Sequence, residues 1–197
     1  MNKVIFLLIS SLFFYSAQAQ VGSPAVQTAQ NVDLNKYLGK WYEVASIPQS
    51  FQKKCIANTA ADYSMGKNKL IVVTNSCDTK SGEKSVAVGR AKIVNDSDPS
   101  KLKVTFVKLI DWIFAFGGAY WILDVDAGYN YALVGDPSRK YAWILSRTPF
   151  FSNDKLILAE KHFKSQGYDT CKILSSVQTN GFSDRKPICD IAKKTAL

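Results

Sequence analysis

Leu38-Gly39-Lys40-Trp41-Tyr42-Glu43-Val44-Ala45 is the stretch on which the reading of this chain turns. A glycine two residues before a tryptophan opens what reads as the first strand. Taken alone, Gly-x-Trp is weak, because any ordinary strand can carry an aromatic residue. Two later stretches add weight. Asp126-Ala127-Gly128-Tyr129 follows the strand-like Trp121-Ile122-Leu123-Asp124-Val125, and Trp143-Ile144-Leu145-Ser146-Arg147-Thr148-Pro149 closes the last long strand before a helix.

This trio, in this order and spacing, resembles the three signature regions of the lipocalins. The surrounding wording is most similar to the bacterial lipocalins and apolipoprotein D, over roughly Asp33 to Gln178. The residues themselves point to a compatible fold. From Trp41 to Val177 short strands alternate with Gly, Asn, Asp and Pro at fairly even spacing, the rhythm of an antiparallel sandwich or barrel. Strands are expected at 40–46, 56–64, 69–77, 85–94, 101–108, 119–125, 130–135 and 141–148. Eight strands in simple succession close into an all-β, up-and-down barrel wide enough for one small ligand. One C-terminal α-helix and a ninth short strand at 172–178 complete the expectation. The helix is placed at Lys155 to Gln166, capped by Ser152, Asn153 or Asp154 and ended by Gly167. Asp33-Leu34-Asn35-Lys36-Tyr37 reads as one capped helical turn feeding the first strand.

The N-terminus reads as an export signal. Lys3 precedes a nearly continuous apolar run from Val4 to Tyr15, and Ala17-Gln18-Ala19 offers small residues for cleavage. No cysteine stands at the cleavage point. Many bacterial relatives of the family carry a lipid-anchoring cysteine there, so a soluble product in a periplasm or extracellular space is expected. The chain then divides into an export signal over 1–19, a disordered leader over 20–30, a barrel domain over 31–180 and a C-terminal tail over 181–197.

Lys and Arg number 25 against 16 Asp and Glu, a formal charge of +9. Dispersed basic pairs suit a solvated surface or an anionic membrane face. No basic helix or stacking motif accompanies them, so nucleic acid is not an expected partner. Four cysteines in an exported chain imply two disulfides. No Cys-x-x-Cys occurs and His162 is the single histidine, so no metal site is expected. His162 has no Asp or Cys within a helical turn in sequence and reads as a surface or half-buried helix residue.

The lipocalin resemblance implies roles for the signature residues. Trp41, entered through Gly39, lies inside at the closed end. Arg147 crosses its indole as a cation–π pair, worth roughly 0.5–2 kcal/mol, and Asp126 and Tyr129 occupy the turn at the same end. These are structural. Apolipoprotein D lines its pocket with the positions matching Tyr63, Asn75, Phe106, Tyr120, Trp143 and Leu145. Each has inward parity in the expected strands, as does Ile122. Phe106, Ile122, Trp143 and Leu145 supply apolar wall, while Tyr63, Asn75 and Tyr120 can hydrogen-bond a head group. The loop after the fifth strand carries Trp112, Ile113 and Phe114. Following the barrel topology, these either fold over the mouth as a lid or dip into a membrane.

A symmetric hairpin of 56–64 with 69–77 sets Tyr63 opposite Lys69, Ala61 opposite Ile71 and Cys55 opposite Cys77. It favours Cys55–Cys77 at the open end and leaves Cys171–Cys189. Apolipoprotein D implies a rival, Cys55 with Cys189, which would join Cys77 at the mouth to Cys171, expected near the closed end.

The expected function is an exported, non-enzymatic carrier of fatty acids, lysophospholipids or similar amphiphiles, with a role in membrane lipid storage or repair. It would be a monomer or weak homodimer, touching membranes at most peripherally, with no cofactor. A thiol-dependent lipid isomerase is the enzymatic alternative and needs Cys55 or Cys77 free. A tetrapyrrole carrier, for bilin or haem, is the third and would purify coloured.

Overall fold

The computed structural model describes residues 24–195, so the export signal and the start of the leader lie outside the described residues. After a single helical turn, α1 (Leu34–Tyr37), the chain runs through β1 (Gly39–Ser46), β2 (Cys55–Met65), β3 (Ile71–Thr79), β4 (Lys84–Ile93) and β5 (Lys101–Thr105). It continues through β6 (Gly118–Val125), β7 (Tyr131–Gly135), β8 (Ala142–Ser146), α2 (Asn153–Ser165), β9 (Leu174–Ser175) and α3 (Ile188–Thr195). Every neighbouring pair from β1 to β8 is antiparallel, and β8 pairs back onto β1. This closes the expected eight-stranded barrel, with β9 added outside along the upper half of β1.

Closure is not uniform. β1 pairs β2 only over its lower half, from Gly39 opposite Tyr63 to Tyr42 opposite Ala60. Above that the two strands separate and the C-terminal segment fills the gap. Ser176 N–H donates to the Val44 carbonyl and Asn58 N–H to the Val177 carbonyl. Gln178 Nε2 donates to the carbonyls of Glu43 and Thr59 at 2.9 and 2.7 Å. The expected ninth strand is therefore a two-residue ladder that continues as a hydrogen-bonded wedge.

Two packed layers hold the fold. Inside, Trp41, Ile122 and Val134 are fully buried with Tyr37 and Tyr63. Outside, Leu156, Ala159 and Phe163 form the apolar stripe of α2 and pack on Val44, Leu133 and Ile144 of the barrel wall. Ser152 caps α2 through the Lys155 amide.

Three expectations need correction. Residues 24–30 are bound to the body: Val26 is buried in the outer layer, the Ala29 amide donates to the Ile122 carbonyl, and Gln27 N–H to Gln166 Oε1. A short polar leader is held here because its backbone finds partners. The tail holds a further helix, α3, whose Ile188 is fully buried in the same layer. Finally, the β2–β3 register differs from a symmetric hairpin. Tyr63 faces Val73, Ala61 faces Asn75, and Cys55 faces Thr79, with irregularities at Cys55/Ala57 and Ala57/Ala60. Asn58 sits there at φ 55°, a left-handed conformation that asparagine tolerates, and its side chain ties Asp78 and the Thr179 amide.

Cys55 and Cys77 are consequently diagonal neighbours, with Cα atoms 5.5 Å apart, and are bonded; Cys171 is bonded to Cys189 across 5.1 Å. Cys171 is not at the closed end, however. β9 runs antiparallel to β1 with Leu174 opposite Ser46, so the residues before it reach towards the open end. The pairing is decided by the diagonal contact and by α3, rather than by a distance that would forbid the rival.

Candidate functional site

The closed end assembles the three signature stretches around one indole. Trp41 lies fully buried, its Nε1 donating to the Tyr37 carbonyl at 2.7 Å. The Arg147 guanidinium sits 3.7 Å from the ring centroid. Its nitrogens are spent on three backbone carbonyls: Nε to Tyr129, Nη1 to Lys40 and Nη2 to Lys36. Gly39 is at φ +90°, and a Cβ there would stand 3.4 Å from Arg147 Nη1. Asp126 accepts from the amide and side chain of Asn130 and the Tyr131 amide, and Tyr129 Oη accepts from the Asp33 amide at 2.7 Å. Burial pushes the Asp126 carboxyl up, but these hydrogen bonds outweigh it and hold the group below its usual range.

Above this floor the strand pairings fix which side chains share the inner face. Leu102 faces Tyr120, Ile122 faces Val134, Val134 faces Trp143 and Ala132 faces Leu145. Tyr63, Asn75, Tyr120, Ile122, Trp143 and Leu145 thus share the inward parity, as Phe106 does one step beyond Val104. Their heights differ. Ile122, Leu145 and Tyr63 are buried low in the barrel, whereas Asn75, Tyr120 and Trp143 are half-buried and Phe106 is 43% exposed. The ring of Phe106 lies against Gly89, where even a Cβ would meet it at 2.8 Å.

The aromatic rings make a ladder up the inside. Tyr37 stands 4.9 Å from Trp41, Tyr63 5.6 Å from Tyr37, Tyr120 6.1 Å from Tyr63, Trp143 6.4 Å from Tyr120 and Tyr141 5.9 Å from Trp143. Within it Tyr120 Oη bonds both Tyr37 Oη at 2.7 Å and Tyr63 Oη at 2.9 Å. Burial pushes the Tyr63 hydroxyl up to about 12, and raises Tyr37 and Tyr120 well above their ordinary value. All three stay neutral at physiological pH.

Two inward residues escaped the sequence reading. Tyr37 read only as part of a helical turn; its aromatic character beside a glycine-opened strand was the available signal. Glu43 is 6% exposed. It accepts from Ser46 Oγ at 2.9 Å and Ser176 Oγ at 2.6 Å on Oε1, and from Gln52 Nε2 at 2.8 Å on Oε2. Period-two alternation from Trp41 would have placed it inward.

The loop expected either to cover the mouth or to dip into a membrane lies against the outer wall of the barrel. Arg90 and Lys92 project outward, because their neighbours Gly89 and Ala91 hold the inward positions. Trp112 lies under the Arg90 guanidinium at 4.6 Å and Lys108 at 5.5 Å, and Phe114 under Lys92 at 4.7 Å. Thr105 Oγ1 donates to the Ile113 carbonyl at 2.9 Å, pinning the loop to the outer face of β5. Trp112, Ile113 and Phe114 therefore form no lid. The residues left in water are Leu109 (78% exposed), Ile110 (101%) and Phe116 (74%). His162 lies outside the barrel on α2, with Nδ1 4.0 Å from Asp124. Two shallow clefts of about 230 and 270 Å³ also lie on the outer surface, one beside Phe150 and Phe182 and one beside Lys40 and Lys84.

A closed eight-stranded barrel with an arginine-capped tryptophan in its floor is the architecture of a lipocalin. The chain belongs to that family: residues 32–178 match the family described as Lipocalin-like domain. It is 34% identical over 157 residues to temperature-induced lipocalin-1 of Arabidopsis thaliana, covering 79% of this chain and 84% of that one. It is 33% identical over 175 residues to the outer membrane lipoprotein Blc of Vibrio cholerae, covering 87% and 96%. Against apolipoprotein D of Mus musculus it is 36% identical over 166 residues, covering 80% and 82%. Among solved structures, insecticyanin from the tobacco hornworm Manduca sexta superimposes with a TM-score of 0.62 at 22% identity, over 85% of this chain and 95% of that one. That last likeness concerns the fold.

Proposed function

We propose that this lipocalin is an exported carrier that takes one fatty acid, lysophospholipid or similar amphiphile into its barrel, with a role in membrane lipid storage or repair. The observation that carries the reading is the change in burial along the inner wall. Below Tyr63 the barrel is packed solid; from Tyr120 to Trp143, Asn75 and Phe106 the lining stands half open. An acyl chain entering there gains roughly 0.8 kcal/mol per CH₂ buried, enough for micromolar binding without reaction chemistry. Two disulfides suit an oxidising compartment outside the cytosol. Among the described residues no helix is long and apolar enough to cross a membrane. The relative named an outer membrane lipoprotein favours the same cellular side. Peripheral membrane contact is assigned to Leu109 and Ile110, and a monomer or weak homodimer serves this role.

The isomerase and the haem form of the tetrapyrrole reading lose support, whereas a bilin needs no imidazole and would show as colour in the purified protein. The isomerase needs a thiolate, and all four cysteines are paired. The chain's one histidine lies outside the barrel, so it offers no imidazole to a haem within. Tryptophan fluorescence titration of wild type and Trp143→Phe with fatty acids and lysophospholipids tests the carrier. Quenching in wild type that shrinks in the variant is expected. Failure of both classes to bind below about 100 µM, weaker than burial of a long chain would give, with no lipid co-purifying, would sink it.

A further inference from the structure

Resting on the carrier reading, we infer that the barrel holds a deep polar subsite at Tyr120 for a neutral hydrogen-bond acceptor, such as a ketone or ester carbonyl, at the leading end of the ligand. The argument is an accounting of protons. Tyr37, Tyr63 and Tyr120 are neutral phenols, each with one O–H to donate. They make two mutual contacts, Tyr37 Oη to Tyr120 Oη at 2.7 Å and Tyr63 Oη to Tyr120 Oη at 2.9 Å. Two bonds consume two of three hydrogens. No further hydrogen bond engages these hydroxyls among the described residues, so one O–H remains unspent.

Position decides which. Tyr37 and Tyr63 are 2% and 6% exposed, packed against the floor, while Tyr120 is half-buried and stacks below Trp143. If the two buried hydroxyls donate to Tyr120, each finds its partner and the spare hydrogen is left on Tyr120, the one ring of the three that is not fully packed into the floor. Any other arrangement strands the hydrogen lower in a packed interior, where an unmade hydrogen bond costs more.

The same accounting chooses the partner. A carboxylate brought to this depth would need a cation, and Arg147 at the floor lies beneath Trp41 with its nitrogens on three carbonyls. Desolvating an unpaired anion is costly. An alkyl terminus would bury the spare hydrogen unsatisfied. A carbonyl or ether oxygen accepts it without charge. Among amphiphiles the barrel therefore prefers one with an uncharged oxygen at its leading end over one ending in plain alkyl, and any ionic group stays at the mouth.

The test compares 2-dodecanone, n-dodecane and dodecanoate by tryptophan quenching on wild type, Tyr120→Phe and Tyr37→Phe, each checked for a cooperative melt. Wild type should bind the ketone roughly tenfold more tightly than the alkane, the worth of one good hydrogen bond. That preference should vanish in Tyr120→Phe. It should survive in Tyr37→Phe, where Tyr120 still accepts from Tyr63 and keeps its own hydrogen free. Equal binding of ketone and alkane by wild type would overturn the subsite while leaving the carrier standing, and this arm needs no variant to fold. Loss of the preference in both variants alike would also overturn it. Failure of all three molecules to bind would remove the carrier and the subsite together.

Discussion

The floor of the barrel and the loop beside its mouth are both built on a cation over an aromatic ring, yet they behave as opposites. At the floor Arg147 lies 3.7 Å from the centroid of Trp41, inside a cage of three carbonyls and under a fully buried indole. At the mouth loop Arg90 lies 4.6 Å from Trp112, which is half-buried, and the apolar residues beside it stand in water. The same contact therefore closes a barrel in one place and fastens a loop to an outer wall in the other. What separates them is the number of backbone groups committed around the ring. The floor fixes its arginine on three carbonyls, whereas Arg90 holds one, that of Gly89, and the loop is kept by Thr105 and ring contacts with free solvent on one side.

The largest expected effect lies at the floor. Trp41→Ala removes a fully buried side chain and should destabilise by about 3–5 kcal/mol. Arg147→Ala should cost less, because part of its contact faces solvent and water can reach the released carbonyls. Urea unfolding would measure both. Ligand affinity of the folded fraction should change little, and a stable Arg147→Ala protein that no longer binds would show that the floor reaches the ligand.

A smaller loss is expected at the entrance to β1. Gly39 combines φ +90° with a close approach to Arg147. Gly39→Ala adds a left-handed strain of roughly 1–3 kcal/mol and presses on the guanidinium. A melting temperature unchanged within error would mean the backbone there relaxes freely, and the Trp41–Arg147 geometry would owe nothing to the glycine.

The contrast also explains how far the sequence could be read. The floor was legible because Gly39, Trp41, Asp126, Tyr129 and Arg147 meet through contacts that a short pattern encodes. Strand parity then placed Tyr120, Trp143 and Leu145 on the inner face. The β2–β3 register was less legible, since it turns on Asn58 entering a left-handed conformation and on residues 177–179 reaching back to hold it. The helix α3 left a fainter trace: Pro187 just before it and Asp190 in its first turn are start signals in an otherwise polar tail. The direction of the mouth loop had no local signal. It is set by Arg90 and Lys92, about twenty residues upstream, whose outward aim depends on the β4 register.

The smallest effect on stability should fall at the loop tip, where the effect on location should be greatest. Ile110 is fully exposed, and Leu109 beside it nearly so, between Lys108 and the outward cations Arg90 and Lys92. An apolar tip flanked by basic residues suits a bilayer carrying anionic lipids, where each lysine or arginine near the surface adds about 1 kcal/mol. Ile110→Asp should leave the melt and the barrel's ligand affinity unchanged. It should lower flotation with phosphatidylglycerol-containing vesicles several-fold, and high salt should weaken what remains. Trp112→Ala tests the orientation. With Trp112 clasped on the outer wall, its removal loosens the loop and lowers the melting temperature slightly before it touches vesicle binding. If Trp112→Ala abolished flotation while Ile110→Asp left it intact, the indole would be the inserting group. The loop would then swing off the wall in solution, and its resemblance to the floor would end at the ring contact.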